Sequence, residues 1–428
     1  MLMKWFSLFV FCCLLSSCIK FGEPYTGLPP GPWRGVLYLS SDTTGFDEHS
    51  GGELPFNFDI VYDTRDSFHM VIHNGSEDIP VTDITMGTDR KTGHDTLLIN
   101  FPIYETHFRA EYEEDWIEGW WIAGNRKDYK IKFKATYGKN FRFFENPDPP
   151  KMDLTGKWEC NFEVDTKTPY KALGDFKQVG NKITGTFLTL TGDDRYLEGQ
   201  VSGDRLFLSV FDGSHAYLYE AKILPDGTLS GIYRSGIHYK TYWDGKRNDT
   251  LQFKDLGDPL AQTNMKTDEV FSISLPTPEG HLINLNTPPY SGKPKLIQIM
   301  GTWCPNCRDE TSFLLDYLKK HPDPGFEILG ISFERQPDTL KALKAIQTYK
   351  EKLHIPYTIV YGGSNDKSLA SEKLPMLNKV MAYPTMIFLS ASDHVVSIHT
   401  GFTGPATSEY PAFVNEFDQL VTKMKNAK

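Results

Sequence analysis

The stretch Gly301-Thr-Trp-Cys-Pro-Asn-Cys307 places two thiols three positions apart in a chain of 428 residues that holds six cysteines. Such a pair can be a structural bridge, half of a metal site or a redox couple, and its surroundings decide between them. Upstream, Lys295-Leu-Ile-Gln-Ile-Met300 has the apolar pattern of a buried strand. Downstream, Phe313, Leu314, Leu315 and Leu318 recur on one helical face that ends near Lys319-Lys-His-Pro322. A Cys-x-x-Cys between strand and helix puts its first sulfur at the helix N-terminus, where unpaired amides and the macrodipole favour negative charge. The second thiol lies one turn in and can close a disulfide by internal attack, so the couple can pass two electrons through a mixed-disulfide intermediate. Cys304 is then the attacking thiol and Cys307 the resolving one. Structural zinc takes four ligands, and no second Cys-x-x-Cys or histidine pair supplies the rest; His69 and His73 share a strand face without a third ligand. Neither a metal nor a cofactor is expected.

From about Asp268 the chain alternates strand and helix. A hairpin, Val270-Phe-Ser-Ile-Ser-Leu275 with His281-Leu-Ile-Asn-Leu285, precedes the buried strand. After the cysteines and their helix come a strand over Phe326 to Phe333, a helix from about Asp338 to Lys352, a strand near Tyr357 to Tyr361 and a helix ending near Val380. An antiparallel pair, Thr385 to Leu389 and His394 to Ile398, and a terminal helix from about Ser408 complete an α/β pattern. Gly301-Thr-Trp-Cys-Pro-Asn-Cys-Arg-Asp-Glu310 resembles the active-site segment of the thioredoxin superfamily, and specifically its exported TlpA/ResA-like branch of thiol-disulfide oxidoreductases, over residues 268–428. The resemblance implies a thioredoxin fold in which Ala382-Tyr383-Pro384-Thr385 is the cis-proline segment that faces the disulfide and pairs with a bound substrate strand. Gly401-Phe-Thr-Gly-Pro405 matches the glycine-rich turn before the last helix. Ordinary thioredoxins carry a buried aspartate on the strand before the motif; here Gln298 stands there and cannot titrate. Glu334 matches the acid that the exported branch uses instead, so Cys304, Cys307 and Glu334 are the expected catalytic residues. Trp303, Pro305, Tyr383, Pro384 and Thr385 are the expected substrate-contacting ones.

The N-terminus reads Met-Leu-Met-Lys4, then the apolar run Trp5 to Leu15, then Ser16-Ser17-Cys18. That run falls short of the ~20 residues a spanning helix needs, and its flanks are those of a signal peptide. Leu15-Ser16-Ser17-Cys18 resembles the bacterial lipobox, which implies removal of residues 1–17 and a lipid on Cys18. The protein is then expected in the cell envelope, on the periplasmic side, tethered through Cys18 to the inner or the outer membrane. Disulfides persist in such a compartment. Cys160, outside the motif, is expected to be a buried structural thiol.

Between linkers at 18–30 and 253–267, the chain up to the redox part looks duplicated. Pro32-Trp33-Arg-Gly-Val-Leu37 is echoed by Lys157-Trp158-Glu-Cys-Asn-Phe162, Asp95 to Asn100 by Asp204 to Ser209, and Ile117-Glu-Gly-Trp-Trp121 by Leu229-Ser-Gly-Ile-Tyr233. Short period-two segments parted by turn residues predict about eight strands per copy, 31–145 and 151–252. They resemble lipocalin-like barrels, or a curled sandwich. Gly35 is the counterpart of Cys160.

With 45 basic and 55 acidic side chains and no basic block, the chain is not expected to bind nucleic acid. The resulting expectation is a multidomain protein, two antiparallel all-β repeats followed by an α/β thioredoxin fold. It exchanges a dithiol for a disulfide with protein substrates, more readily as a reductase fed by a membrane electron-donor thiol protein. Two other readings stay open: a thiol peroxidase of the peroxiredoxin type, which wants a threonine where Gly301 stands, and a ligand- or partner-binding lipoprotein in which the β repeats carry the main function.

Overall fold

The computed structural model describes residues 27–39, 51–257, 262–266 and 270–427. The expected leader over residues 1–17 and Cys18, the expected lipid site, lie outside the described residues. No described helix is long and apolar enough to cross a membrane.

The two β repeats start alike. Gly31–Tyr38 pairs with Glu53–Thr64 on one side and Lys130–Tyr137 on the other, and Gly156–Phe162 pairs in the same way with Tyr170–Val179 and Tyr239–Arg247. Trp33 and Trp158 are wholly buried at equivalent positions, and each indole N–H donates to a carbonyl four residues back, Pro29 at 3.2 Å and Leu154 at 2.9 Å. Alternating burial along the strands puts the apolar face inward, as a period of two requires.

They end differently. In repeat 2, Tyr170–Val179 pairs with Lys182–Thr189, which pairs with Leu197–Ser202, and the ladder runs round to Tyr239–Arg247 and back, closing eight strands into a barrel. Phe162, Phe187, Tyr219, Tyr233 and Trp243 meet inside it, with Tyr219 and Tyr233 stacked at 4.4 Å, so its interior is a packed aromatic core. The lipocalin-like expectation therefore describes repeat 2. Repeat 1, among the described residues, is an open nine-stranded antiparallel sheet whose edges, Glu77–Val81 and Ile84–Thr88, do not pair with each other. Pro80, which has no N–H to extend a ladder, sits on that edge opposite Val71.

The opening is filled from outside. Phe211, at the end of strand Arg205–Phe211 of repeat 2, is wholly buried among repeat 1's aromatics, with ring centroids 4.7 Å from Phe56, 5.2 Å from Trp121 and 5.4 Å from Phe108. Ala216 and Leu218 of the next strand join the same core. Polar bonds seal the seam: Asn74 Nδ2 donates to the Phe211 carbonyl at 2.8 Å, and buried Arg142 reaches Ser209 Oγ at 2.9 Å and Asn74 Oδ1 at 3.0 Å.

The third part is a thioredoxin-like α/β domain. Its five-stranded sheet has the order Thr358–Ser364, Glu327–Glu334, Lys295–Met300, Thr385–Leu389, Val395–Thr400; the first three strands are parallel, and Thr385–Leu389 runs antiparallel to both of its neighbours. Four helices join or flank these strands among the described residues: α1 (Pro305–Lys320), α2 (Thr339–Lys352), α3 (Lys367–Lys373) and α4 (Tyr410–Asn426). Asp338 and Asp366 cap α2 and α3 by accepting two backbone N–H groups each. Two expectations need correction. The helix predicted to end near Val380 stops at Lys373, because Pro375 disfavours helical backbone in the residue before it. The upstream hairpin shrinks to Ser274–Pro276 with Leu282–Asn284: past Asn284 the chain turns, the Thr287 amide donating to the Asn284 carbonyl at 3.4 Å, and Pro288 and Pro289 cannot donate to a longer ladder, while the Phe271 amide is taken by the Asp393 carbonyl at 2.8 Å.

Candidate functional site

The wholly buried strand Lys295–Met300 lies at the middle of the sheet and ends in the turn Gly301 to Cys304, closed by the Cys304 amide donating to the Gly301 carbonyl at 3.1 Å. Cys304 is the N-cap of α1, with extended backbone and Pro305 in the first turn, and its sulfur accepts the Cys307 amide at 3.2 Å. A sulfur in this place stands at the positive end of the helix dipole, beside amides that have no partner within the helix. Cys304 keeps 6 % of its surface exposed while Cys307 is sealed, so only the first thiol can meet another molecule. Both are free thiols here. Burial, then the hydrogen bond and charge of Cys304, push the Cys307 thiol well up.

The other expected residues gather around Cys304. Its sulfur lies 3.5 Å from the Tyr383 carbonyl, and the Tyr383–Pro384 bond is cis. Thr385 opens the strand that pairs with the central one, and its hydroxyl donates to the Ala382 carbonyl at 2.9 Å; its side chain is turned into its own loop and wholly buried. Trp303 donates to the Phe333 carbonyl at 2.9 Å and meets Tyr383 edge-on at 5.6 Å. Glu334 is buried, but both its oxygens are taken up: it accepts the Thr302 amide at 3.1 Å, the Thr302 hydroxyl at 2.7 Å and the Ser332 hydroxyl at 2.5 Å. Burial raises its carboxyl against the pull of these donors.

A second carboxyl escaped the sequence reading. Glu310 follows Cys307 by three residues on α1, the spacing that stacks side chains on one helix face, and that spacing was legible. It is wholly buried; Gln298 Nε2 donates to one oxygen at 2.9 Å, and the other has no hydrogen-bond partner among the described residues. Burial pushes this carboxyl well above its ordinary value, Gln298 opposes that, and Cys304 adds to it. Gln298 is itself held by the Tyr357 hydroxyl at 3.1 Å, so the non-titrating residue on the central strand orients the titrating one on the helix.

The site is also shared with the β repeats, which the sequence did not foretell. Asn306 Nδ2 donates to the Asp193 carbonyl at 2.8 Å, the Gly404 amide to the Asp193 carboxylate at 2.6 Å and Ser214 Oγ to the Trp303 carbonyl at 3.2 Å. Gly401, at φ 83°, lies so near Thr191 that a Cβ would stand 2.8 Å from its backbone carbon. Beneath, all three parts meet at Arg195, whose side chain is wholly buried and pairs with Asp212 at 3.0 Å, with Glu77 of repeat 1 and with Asp309 of α1, while reaching the Pro305 carbonyl at 3.4 Å. Against the cost of burial, Asp309, Glu77 and Asp212 hold this guanidinium charged. Burial pushes Glu77 up to about 7 against the pull of Arg195.

His69 and His73 bond to carboxylates on their own sheet, Asp63 at 3.0 Å and Asp78 at 2.6 Å. Cys160 is wholly buried, and burial pushes its thiol up. Among the described residues no group of three or more His, Cys, Asp or Glu is placed to hold a metal ion.

Residues 267–398 match the AhpC/TSA family model. Among curated proteins none matches the sequence. Solved structures similar to the chain include a thiol:disulfide interchange protein of the thioredoxin family from Chlorobium tepidum, 19% identical, covering 38% of this chain and 99% of that one at a TM-score of 0.28. The thioredoxin domain of a thiol-disulfide oxidoreductase from Bacteroides vulgatus is 21% identical, covering 36% of this chain and 99% of its own at a TM-score of 0.27. A secreted disulfide oxidoreductase from Mycobacterium tuberculosis is 18% identical and covers 35% and 94% at a TM-score of 0.26.

Proposed function

We propose that the protein is an envelope thiol-disulfide oxidoreductase, tethered by lipid at Cys18, that reduces disulfides in exported protein substrates through Cys304 and Cys307. The observation that carries this reading is the pair itself: a slightly exposed sulfur that caps α1 and accepts the Cys307 amide at 3.2 Å, with a sealed second thiol one turn away. The Cys304 thiolate attacks a substrate disulfide; a Cys304–substrate bond forms, the substrate S–S bond breaks and one substrate sulfur leaves as a thiolate that takes up a proton. Cys307 then gives up its proton and attacks the Cys304 sulfur. The second substrate thiolate leaves and is protonated, the Cys304–Cys307 disulfide forms, and the substrate has gained two electrons and two protons. A membrane electron-donor dithiol protein restores the pair by the reverse exchange.

Cys307 is a poor nucleophile while burial keeps it protonated, so the second step needs a base within the core. Glu310 fills that role, having one oxygen without a partner and a proton affinity raised by burial. Glu334, with both oxygens engaged, is a positioning residue for the turn that delivers Cys304. Trp303 and Tyr383 lie beside Cys304, and the Tyr383–Pro384 segment next to the sulfur is the part that pairs with a substrate strand in this reading.

With residues 267–398 matching the AhpC/TSA family model, peroxidase chemistry is the second reading. Gly301 stands where that chemistry wants a threonine. One experiment separates the two: the Cys307→Ser variant, offered a disulfide peptide and, separately, hydrogen peroxide. Exchange predicts a stable mixed disulfide with the peptide that vanishes in Cys304→Ser. Failure to form that adduct, together with rapid peroxide consumption by the unmodified chain, would replace the first reading by the second.

A further inference from the structure

Two sides of the redox face are closed by repeat 2, through Asp193 against Asn306 and Gly404 and through Ser214 against Trp303. A third side carries two arginines from different parts of the chain. Arg335, half-buried and next to Glu334, lies with its guanidinium 3.9 Å over the Trp303 ring. Arg126 of repeat 1, also half-buried, lies 4.9 Å over the Tyr129 ring and 3.3 Å from Nδ1 of His238 of repeat 2. Their loops are fastened together: Gln336 donates to the Glu105 carboxylate at 2.8 Å, and the Gly124 amide donates to the Glu105 carbonyl at 2.8 Å. Glu105 is thereby engaged, and among the described residues neither guanidinium has a carboxylate within ion-pair distance. In a chain of net charge -10, with 55 acidic residues, two partly desolvated cations without a carboxylate partner stand out, Arg335 over Trp303 next to Cys304 and Arg126 close enough to Arg335 to repel it.

The surroundings sharpen the point. Burial, then Arg126 and Arg335, depress His238 to about 4, so it adds no charge of its own near neutral pH, and burial followed by Arg126 lowers Arg335 to about 10. Partly buried cations that repel one another gain most from an anion supplied by another molecule. A guanidinium anchored over an aromatic ring has lost part of its side-chain freedom already, so its N–H donors can take a carboxylate at little further entropic cost.

Resting on the thiol-disulfide reading above, we infer that Arg126 and Arg335 form a carboxylate-recognition site at the mouth of the redox centre, and that favoured substrates are proteins with acidic residues beside the reactive disulfide. Repeat 1 then has a part in the reaction: it brings one of the two cations that choose the substrate.

The test uses the full chain, recycled by dithiothreitol, and three cystine peptides that differ only in two flanking residues: Asp-Asp, Ser-Ser or Lys-Lys. At low salt the acidic peptide should exceed the neutral one in kcat/KM by about tenfold, with the basic peptide slowest; raising NaCl to about 0.5 M should shrink that ratio to about twofold. Arg126→Glu should bring the ratio to one or below, and Arg335→Gln should lower it. The ratio within each variant is the readout, so a partial loss of folded protein cancels; if Arg126→Glu does not fold, the peptide and salt series on the unmodified chain decides alone. Equal rates for the three peptides at low salt would overturn the site and leave the redox reading standing. No turnover of any peptide would remove the redox reading, and the site with it.

Discussion

Repeat 1 and repeat 2 begin with the same strand triplet and the same buried tryptophan, yet one is an open sheet and the other a closed barrel. Repeat 2 satisfies its own interior. Repeat 1 borrows Phe211, Ala216 and Leu218 from its twin to complete its core. The lending segment does more than fill space. The turn after Phe211 carries Asp212, which pairs with Arg195, and Ser214, which bonds to Trp303 beside Cys304. One stretch of repeat 2 therefore completes repeat 1 and covers the Cys304 face, so the asymmetry between the copies couples both to that face. Copies that only repeated each other would have no such element to share.

The comparison breaks most visibly at Phe211. Phe211→Ala should cost about 3 to 5 kcal/mol, the range for emptying a well-packed aromatic site. The loss should register as early unfolding of repeat 1 in denaturant, followed by Trp121 fluorescence, before the closed barrel melts. Arg195→Met comes next, at about 3 kcal/mol, because it strands Asp212, Glu77 and Asp309 with no cation in a buried junction. That variant should also speed alkylation of Cys304 relative to the unmodified chain, since the cover over it is loosened; an unchanged rate would mean that the seam does not guard the thiol.

A smaller effect is set by pH. Glu77 has a folded-state value of about 7 against an ordinary 4.5, so the stability it contributes is fully present below about 4.5 and is lost as pH rises through about 7. Asp193 and Asp194 shift in the same direction, to about 6 and about 7, so the difference between the chain and its Glu77→Gln variant isolates the one group. Between pH 5.5 and 8 the unmodified chain should lose about 2 kcal/mol more than the variant; parallel pH profiles would show that Glu77 titrates normally. The finest contrast is between equivalent positions. Gly35 has Phe56 and Phe133 ring carbons 2.6 and 3.0 Å from where a Cβ would stand, whereas Cys160 already carries a side chain there. Gly35→Ala should cost about 2 kcal/mol by overpacking, and Cys160→Ala about 1 kcal/mol by a small void. Thermal melts of the two single variants check the order.

Much of this was legible in the chain. The apolar run before Cys304, the helical face after it and the strand-helix alternation gave the third part its fold, and paired motifs such as Trp33 and Trp158 gave the duplication. Closure was not legible, because open and closed sheets share one alternating pattern and differ in whether two distant edges meet. Pro80 was the one local sign, a residue that cannot extend a ladder, sitting at the edge where repeat 1 stays open. Arg195 reads in sequence as part of a polar turn, Asp193-Asp-Arg-Tyr196; only the meeting of three parts turns it into a buried junction. The same holds for Arg126 and Arg335, which lie about half the chain apart. Glu310 differs from these, since its place three residues after Cys307 on a helix was there to be read.

If Cys304 and Cys307 form a working redox couple, it shows in their reduction potential, equilibrated against glutathione and dithiothreitol buffers and read by mass after alkylation. One reversible two-electron transition is expected, with a midpoint near or below about -250 mV, in the range of reducing thioredoxins. A midpoint near about -120 mV would contradict the reductase direction, and the absence of any reversible transition would contradict the redox assignment itself.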